Sequence, residues 1–438
     1  MKIKILDTNY KPTDIAVASA RSCYYGKNII TPQEVSNWDK KNQLLDSIFK
    51  AGHHTTLQHY HFTILIEGMS RHLIWRLLHS HMFYNSEQVS QRYAKMKIEN
   101  FYIPKNADES WNEYYKTMFG YYENLTKQLT PIMQEKLPKF QKHIAIKKAM
   151  EMARYVLPVG MKAHLYHTIN VITALRYINV AKVLPESQIE ALEFVSKLEE
   201  EMIKIDKNLK PLIDFAKKEK AVFPKVDITK FRDKKVFDIV NYDFDLNENY
   251  AGVLRSSNIF FDESLLGGFN SYVKLSLSAD AQNQRHRRSP AIRVALEDIY
   301  KKDYYIPPII KETILDEYKK AIDYSYQFFE KQKDILGFAE SVYALTNAHN
   351  IEIIQKDDFN EFTHKAQMRL CYNAQQEIFD IIYSQVNELK KAGVNTDKFL
   401  PPCAIRYKQN IKPYCPEGDR FCGIKVWKLK FEDYKRDI

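Results

Sequence analysis

The chain has 438 residues, 45% of them hydrophobic and 13% aromatic, with only 12 glycines and 16 prolines. This excludes a disordered or low-complexity protein and gives room for two or three domains. A net charge of +10 and a pI near 9.0 favour anionic partners: nucleotide phosphates, polyglutamates, nucleic acid or a membrane surface.

The first residues, Met1 to Asp7, alternate as a strand and lack the basic-then-apolar order of a signal peptide. No apolar run reaches the roughly 18 residues of a membrane span, so a cytoplasmic protein is expected. Thr13 to Cys23 and Pro32 to Ala51 carry helical spacing, Gly52 to Thr56 break it, and His59 to Ile66 alternate as a half-buried strand. A helix is expected from near Ser70, then long helices over 107–130, 132–156, His164 to Val183 and Glu186 to Asp206. Residues 207–235 turn Lys-rich with Pro211 and Pro224 and read as a linker. Beyond it come strands over Val236 to Val240 and Ser271 to Leu277, and helices over Ala279 to Arg287, Pro308 to Gln332 and Phe359 to Lys391. The tail, 394–438, is irregular and holds three of the five cysteines; an odd, sparse set is expected as reduced thiols.

Two stretches carry chemistry. Arg71 to Tyr93 crowds Arg71, Arg76, His79, His81, Glu87, Gln88, Ser90 and Arg92 together, and Gln282 to Arg288 places Gln282, Arg285 and His286 at i, i+3 and i+4 on one helix face. A guanidinium is always charged and matches phosphate with a planar fork, so this mixture suits a phosphorylated, base-bearing ligand. A solvated, salt-bridged helix face is the alternative. His53, His54, His59, His61, His79 and His81 have no acidic or cysteine partner at a metal-ligand spacing, and no metal site is expected from them. Cys403, Cys415 and Cys422 form an incomplete three-thiol set, with no histidine beyond His364 to complete it, and a structural loop is expected there.

The chain also repeats itself. Arg369, Ala374, Gln375 and Glu377 echo Lys182, Ser187, Gln188 and Glu190 about 187 positions earlier, and each half has a strand leading into a helix of clustered His and Arg. At these residues the sequence resembles the flavin-dependent thymidylate synthases (ThyX), with copies over about 1–206 and 236–393. In the first, Gly52, His53, Thr55, His59, Phe62, Ile64, Ile66, Ser70 and Arg71 fall in step, as do Ser90-Gln91-Arg92-Tyr93 and Arg154 with Leu157 and Pro158, whereas the Gln-x-x-Arg-His-Arg signature has become Arg76-Leu77-Leu78-His79-Ser80-His81. In the second the signature is complete from Gln282 to Arg287 and so is the late arginine motif, but Ser-x-Arg-Tyr is missing and Glu340 stands in for the arginine that Arg154 supplies in the first.

The resemblance implies an α+β fold of two tandem units, each a small, mainly antiparallel sheet packed with long helices. It implies reductive methylation of dUMP to dTMP, with methylene-tetrahydrofolate as carbon donor, FAD carrying the hydride and NADPH reducing the flavin. Members are tetramers with sites assembled from several subunits, so a homodimer of the tandem chain is implied, each half keeping what the other has lost. Ser90, Arg92 and Arg369 are the implied catalytic residues, with Ser90 positioning substrate, not attacking it. Glu87, Gln88, Ser90, Arg92, Arg154, Gln282, Arg285 and Arg369 are implied to bind dUMP. His53, Thr55, Arg285, His286, Arg287, Asn170 and His364 are implied to bind FAD; no Gly-x-Gly-x-x-Gly supports a Rossmann mode. As alternatives, Arg154 and Arg369 serve as surface ion pairs, and His286 and His364 as core histidines.

Competing functions are a related enzyme, for example one that hydroxymethylates dUMP, a non-catalytic scaffold, and a nucleic-acid-binding protein. The last is motivated by the basic pI and by Tyr84 and Tyr93 beside basic residues, but no RNP, helix-turn-helix or zinc-finger pattern appears. If each site borrows from two chains, a mixed dimer of Arg92→Ala and Arg285→Ala chains regains activity.

Overall fold

The computed structural model describes residues 1–6, 9–25, 28–92, 94, 96–223, 225–244 and 263–436; Tyr93 and Pro224 lie outside the described residues. The fold is α+β, with two four-stranded antiparallel sheets, one per half. The first orders its strands β1-β2-β4-β3, built from β1 (Lys2–Ile5), β2 (His61–Ser70), β3 (Tyr84–Gln88) and β4 (Lys162–Asn170). The second repeats that order as β5-β6-β8-β7, from β5 (Val236–Val240), β6 (Gly268–Ser276), β7 (Ala291–Arg293) and β8 (Asn350–Asp358). The shared order, with the same crossover, is the structural form of the internal repeat.

Each central strand is set by its alternation. Phe62, Ile64 and Ile66 of β2 are buried, as are Ala163, Leu165, His167 and Ile169 of β4. The structure therefore corrects the helix expected over His164 to Val183. The apolar period is two residues up to Ile169 and helical only after Asn170, whose side chain accepts a hydrogen bond from the Thr173 amide (2.9 Å) and caps helix Val171–Val180. The helix expected over Phe359 to Lys391 is likewise two, Phe359–Arg369 and Gln376–Lys391, and the loop between them carries Gln375.

The two inner strands end on a serine that does the same work twice. Ser70 Oγ accepts from the Leu73 amide (3.0 Å) and donates to Glu190 (2.6 Å); Ser276 Oγ accepts from the Ala279 amide (3.0 Å) and donates to Glu377 (2.6 Å). The second oxygen of each carboxylate takes the serine's own amide, at 2.8 Å and 2.6 Å. Burial pushes the Glu190 carboxyl up from 4.5 to about 7. Folding thus takes up a proton there, so this share of stability is present below the ordinary value and is lost as pH rises through about 7. Glu190→Gln is expected to flatten the fall in Tm between about pH 5 and 8, and thermal scans across that range test it.

Helices Ser110–Lys136 and Leu315–Leu336 lock the halves together. Trp111 Nε1 donates to Gln332 (3.0 Å), and Tyr114 stacks on Phe328 with centroids 4.1 Å apart. One hydrophobic core runs through both halves, from Trp75, Trp111 and Tyr155 to Tyr318, Phe329 and Tyr343. Beside it the backbones cross: Val159 and Gly160 donate to Leu345 (2.8 Å) and Tyr343 (3.0 Å), and Asn347 and Ala348 donate to Leu157 (2.9 Å) and Tyr155 (3.0 Å). A Cβ on Gly160 would overlap the Tyr115 hydroxyl and stand 2.9 Å from the Tyr343 carbonyl, so only glycine fits the crossing.

The Lys-rich stretch is not all linker. Leu209, Leu212, Ile213 and Ala216 have helical spacing, and they bury helix Lys210–Lys218 in the core of the first half. That apolar face outweighs the lysines, which stay at the surface.

Candidate functional site

The junction between the halves gathers positive charge. Arg71 follows the capping Ser70, Arg92 follows β3, and Arg154 opens a tight turn, Arg154–Val156. The second half supplies Arg285, just past helix Leu277–Asn283, and Arg369 at the end of helix Phe359–Arg369. Burial, then the charges of Arg154 and Arg285, lower the Arg71 guanidinium to about 9. Burial, then Arg285 and Arg92, lower Arg369 to about 10. Arginine does not give up its proton at physiological pH, so these shifts reflect first the cost of burying the guanidiniums and then that of holding like charges together, and an anion would relieve both.

An acid is paired with the group: Glu151 Oε1 lies 3.0 Å from Arg92 Nε. Burial pushes this carboxyl up, but Arg92, Lys148 and Arg436 outweigh it and hold it at about 2. Arg92 Nη2 also donates to the Asn373 carbonyl of the second half (2.8 Å), which fixes its fork across the junction.

A second network aims the amides. Gln375 Oε1 accepts from Arg154 Nη2 (2.5 Å) and from Gln282 Nε2, while its own amide donates to the Tyr155 hydroxyl. Tyr155 passes the chain on to Glu377 (2.7 Å), the carboxylate that holds Ser276. Gln282 Oε1 and Arg154 Nε keep no hydrogen-bond partner among the described residues, although both are buried. A buried acceptor and a buried donor left over beside guanidiniums are what a pyrimidine edge and an anion would satisfy.

Arg369 Nε lies 3.0 Å from His286 Nε2, and its Nη2 donates to the Gln282 carbonyl (2.9 Å). His286 Nδ1 faces Glu361 at 3.3 Å, and its ring meets His364 edge-on with centroids 5.5 Å apart. Arg287 donates to Tyr84 O and to Asn85 (2.7 Å), and Arg288 to Asp358 and Asn360 (3.0 Å each). Arg288 is thereby matched by a carboxylate, whereas the exposed Arg287 is held by neutral oxygens and is a donor that suits a diphosphate.

Among the site residues expected from the sequence, the junction brings together Arg92, Arg154, Gln282, Arg285, His286, Arg287, His364 and Arg369, with Ser90 Oγ accepting from the Arg92 amide (3.2 Å). Glu87 and Gln88 alternate along β3. Gln88 lines a small cavity with Arg71, Trp75, His79 and Leu277, while Glu87 is exposed. Asn170 is spent as a helix cap, and His53 and Thr55 are exposed in the turn before β2, against helix Pro12–Tyr25. Missing from the expected set were Arg71, Glu151 and Gln375; the repeat had marked Arg71 and Gln375, and nothing in the spacing marks Glu151.

The copies assign one position differently from the sequence. Leu157 and Leu345 make the same turn, donating to Arg154 O (3.1 Å) and Val342 O (3.0 Å), so Val342, not Glu340, occupies the arginine's place in the second half. The mirror-image junction is closed. Arg76 stands six residues after Ser70, as Gln282 does after Ser276, and pairs with the buried Glu186 at 2.7 Å while donating to the Arg293 and Val294 carbonyls (3.2 and 3.1 Å). Trp75 and Arg293 both bind Asp280 (2.7 and 2.6 Å), and Glu186 takes the Leu296 amide (2.5 Å). Each of these charges is thus matched by a buried partner, Arg76 by Glu186 and Arg293 by Asp280.

Fold and site together define a duplicated α+β protein with one cationic junction. The family model described as thymidylate synthase complementing protein matches residues 4–205 and 267–392, and the chain belongs to that family. It is similar to the flavin-dependent thymidylate synthase of Clostridium tetani, 26% identical over 213 residues (48% of this chain, 85% of the relative), and to that of Pyrococcus furiosus, 26% over 221 residues (50% and 84%). A crystal structure of ThyX from Helicobacter pylori with FAD and dUMP aligns with a TM-score of 0.35 and 16% identity, covering 50% of this chain and 100% of that one. Among the described residues no helix is long and apolar enough to cross a membrane.

Proposed function

We propose that the chain is a flavin-dependent thymidylate synthase, methylating dUMP to dTMP with methylene-tetrahydrofolate and NADPH, through one site built from both its halves. The observation that carries this reading is the gathering of Arg71, Arg92 and Arg154 with Arg285 and Arg369, of which Arg92 is paired with Glu151, beside the Gln282 Oε1 that has no hydrogen-bond partner among the described residues. Arg154 and Arg369, with Arg285 at the rim, would hold the nucleotide phosphate and steady charge that develops on the uracil carbonyls. Gln282 would accept from the base N3–H, held in register by Gln375. Ser90 would fix the backbone that presents Arg92.

His286, Arg287 and His364 fit the diphosphate and ring of FAD, which would supply the hydride. Because the second junction is closed by Arg76 and Glu186, each chain carries one substrate site, and a homodimer would hold two. Family resemblance and site chemistry support the reading together; neither names the product alone.

The test is a spectrum and an assay. The purified protein is expected to be yellow and to oxidise NADPH only when dUMP is added. A colourless protein that ignores dUMP but shifts DNA at physiological salt would overturn it.

A further inference from the structure

Four of the five cysteines meet at one place. Cys371 lies in the loop between helices Phe359–Arg369 and Gln376–Lys391, and Cys403, Cys415 and Cys422 come from the tail; all four line one small cavity. Tyr372, Pro402, Phe421 and Val426 wall it with apolar surface. All four thiols are free, and the fifth, Cys23, is exposed in the first half.

We propose that Cys371, Cys403, Cys415 and Cys422 form a four-thiolate centre for a soft metal, zinc or an iron–sulfur cluster, which fastens the tail to the loop that positions Arg92. Three tail cysteines and Cys371, all half-buried, line this one cavity in a chain with only five cysteines. Four sulfurs against the single carboxylate on the wall, Glu417, select zinc or iron–sulfur chemistry over magnesium or calcium. Among the described residues no three ligating side chains are already closed on one point, so the centre forms by rotation of the thiols into the void they share.

The loop and the tail are tied on both sides of this cavity. Arg92 donates to the Asn373 carbonyl (2.8 Å), and Asn373 Nδ2 donates in turn to Arg420 O (2.5 Å). Arg436 Nε donates to Tyr372 O (3.0 Å), and Gln376 to Arg436 O (2.9 Å). The centre is thus placed to hold the segment that orients an arginine of the substrate site, without touching the substrate.

Elemental analysis of the full chain, purified anaerobically without chelator, tests this. The expected result is about one zinc per chain, or about two to four iron with equal acid-labile sulfide. Titration with a mercurial should release that metal in step with four thiols. Cys23→Ser should keep it, and Cys403→Ser with Cys422→Ser should lose it. Arg154→Ala, placed to weaken nucleotide binding, should leave the metal content unchanged, which separates this claim from the proposed activity. Metal-free protein whose four thiols titrate freely, or are paired as disulfides, overturns it.

Discussion

Arg369→Ala is expected to weaken dUMP binding by on the order of 10- to 100-fold, and Arg154→Ala by a similar factor, because a hydrogen bond to a charged group contributes roughly 1.5–3 kcal/mol. The reasoning rests on placement. Arg154 Nη2 and Gln282 Nε2 share Gln375 Oε1, and Arg369 Nη2 holds the Gln282 carbonyl, so the two arginines flank one glutamine from opposite halves of the same chain. Loss of Arg369 also removes its 3.0 Å contact with His286 Nε2. Mixing Arg154→Ala chains with Arg369→Ala chains should restore nothing, since both arginines belong to the junction within one chain. Isothermal titration of the separate and mixed variants decides this, and recovery in the mixture would place the site between chains.

Trp111→Ala should cost about 3–5 kcal/mol, the range for removing a large buried aromatic side chain. Trp111 is fully buried where helices Ser110–Lys136 and Leu315–Leu336 pack, and its indole satisfies Gln332 (3.0 Å), which is itself buried. The truncation would leave a cavity between the halves and remove the donor to the Gln332 carbonyl oxygen, while its amide still donates to Ser110 (3.2 Å). Since one core runs through both units, urea unfolding of the variant should shift to lower midpoint as a single transition. Two separated transitions would show that the halves are independent domains.

Much of this architecture was legible in the chain. The alternation of His59 to Ile66 marked a strand, and the late motifs, Gln188 with Glu190 and Gln375 with Glu377, marked the repeat, because each is a local pattern with a local cause. β4 was misread because its strand period runs directly into a helical one at Asn170. Val342 was misassigned to Glu340 because only the turn geometry, not the residue type, marks the arginine's place. The buried pair of Arg76 and Glu186 lies 110 positions apart, and no sequence period reports a long-range ion pair. Glu151 was missed for the same reason: an acid inside an ordinary helical pattern shows its role only once Arg92 arrives from elsewhere.

The account turns on a single open junction per chain, and the number of dUMP molecules bound per flavin-loaded chain measures it most directly. Titration calorimetry should return one, reduced to none when Arg154 and Arg369 are both changed to alanine. Two nucleotides per chain, or one that survives that double change, would contradict it.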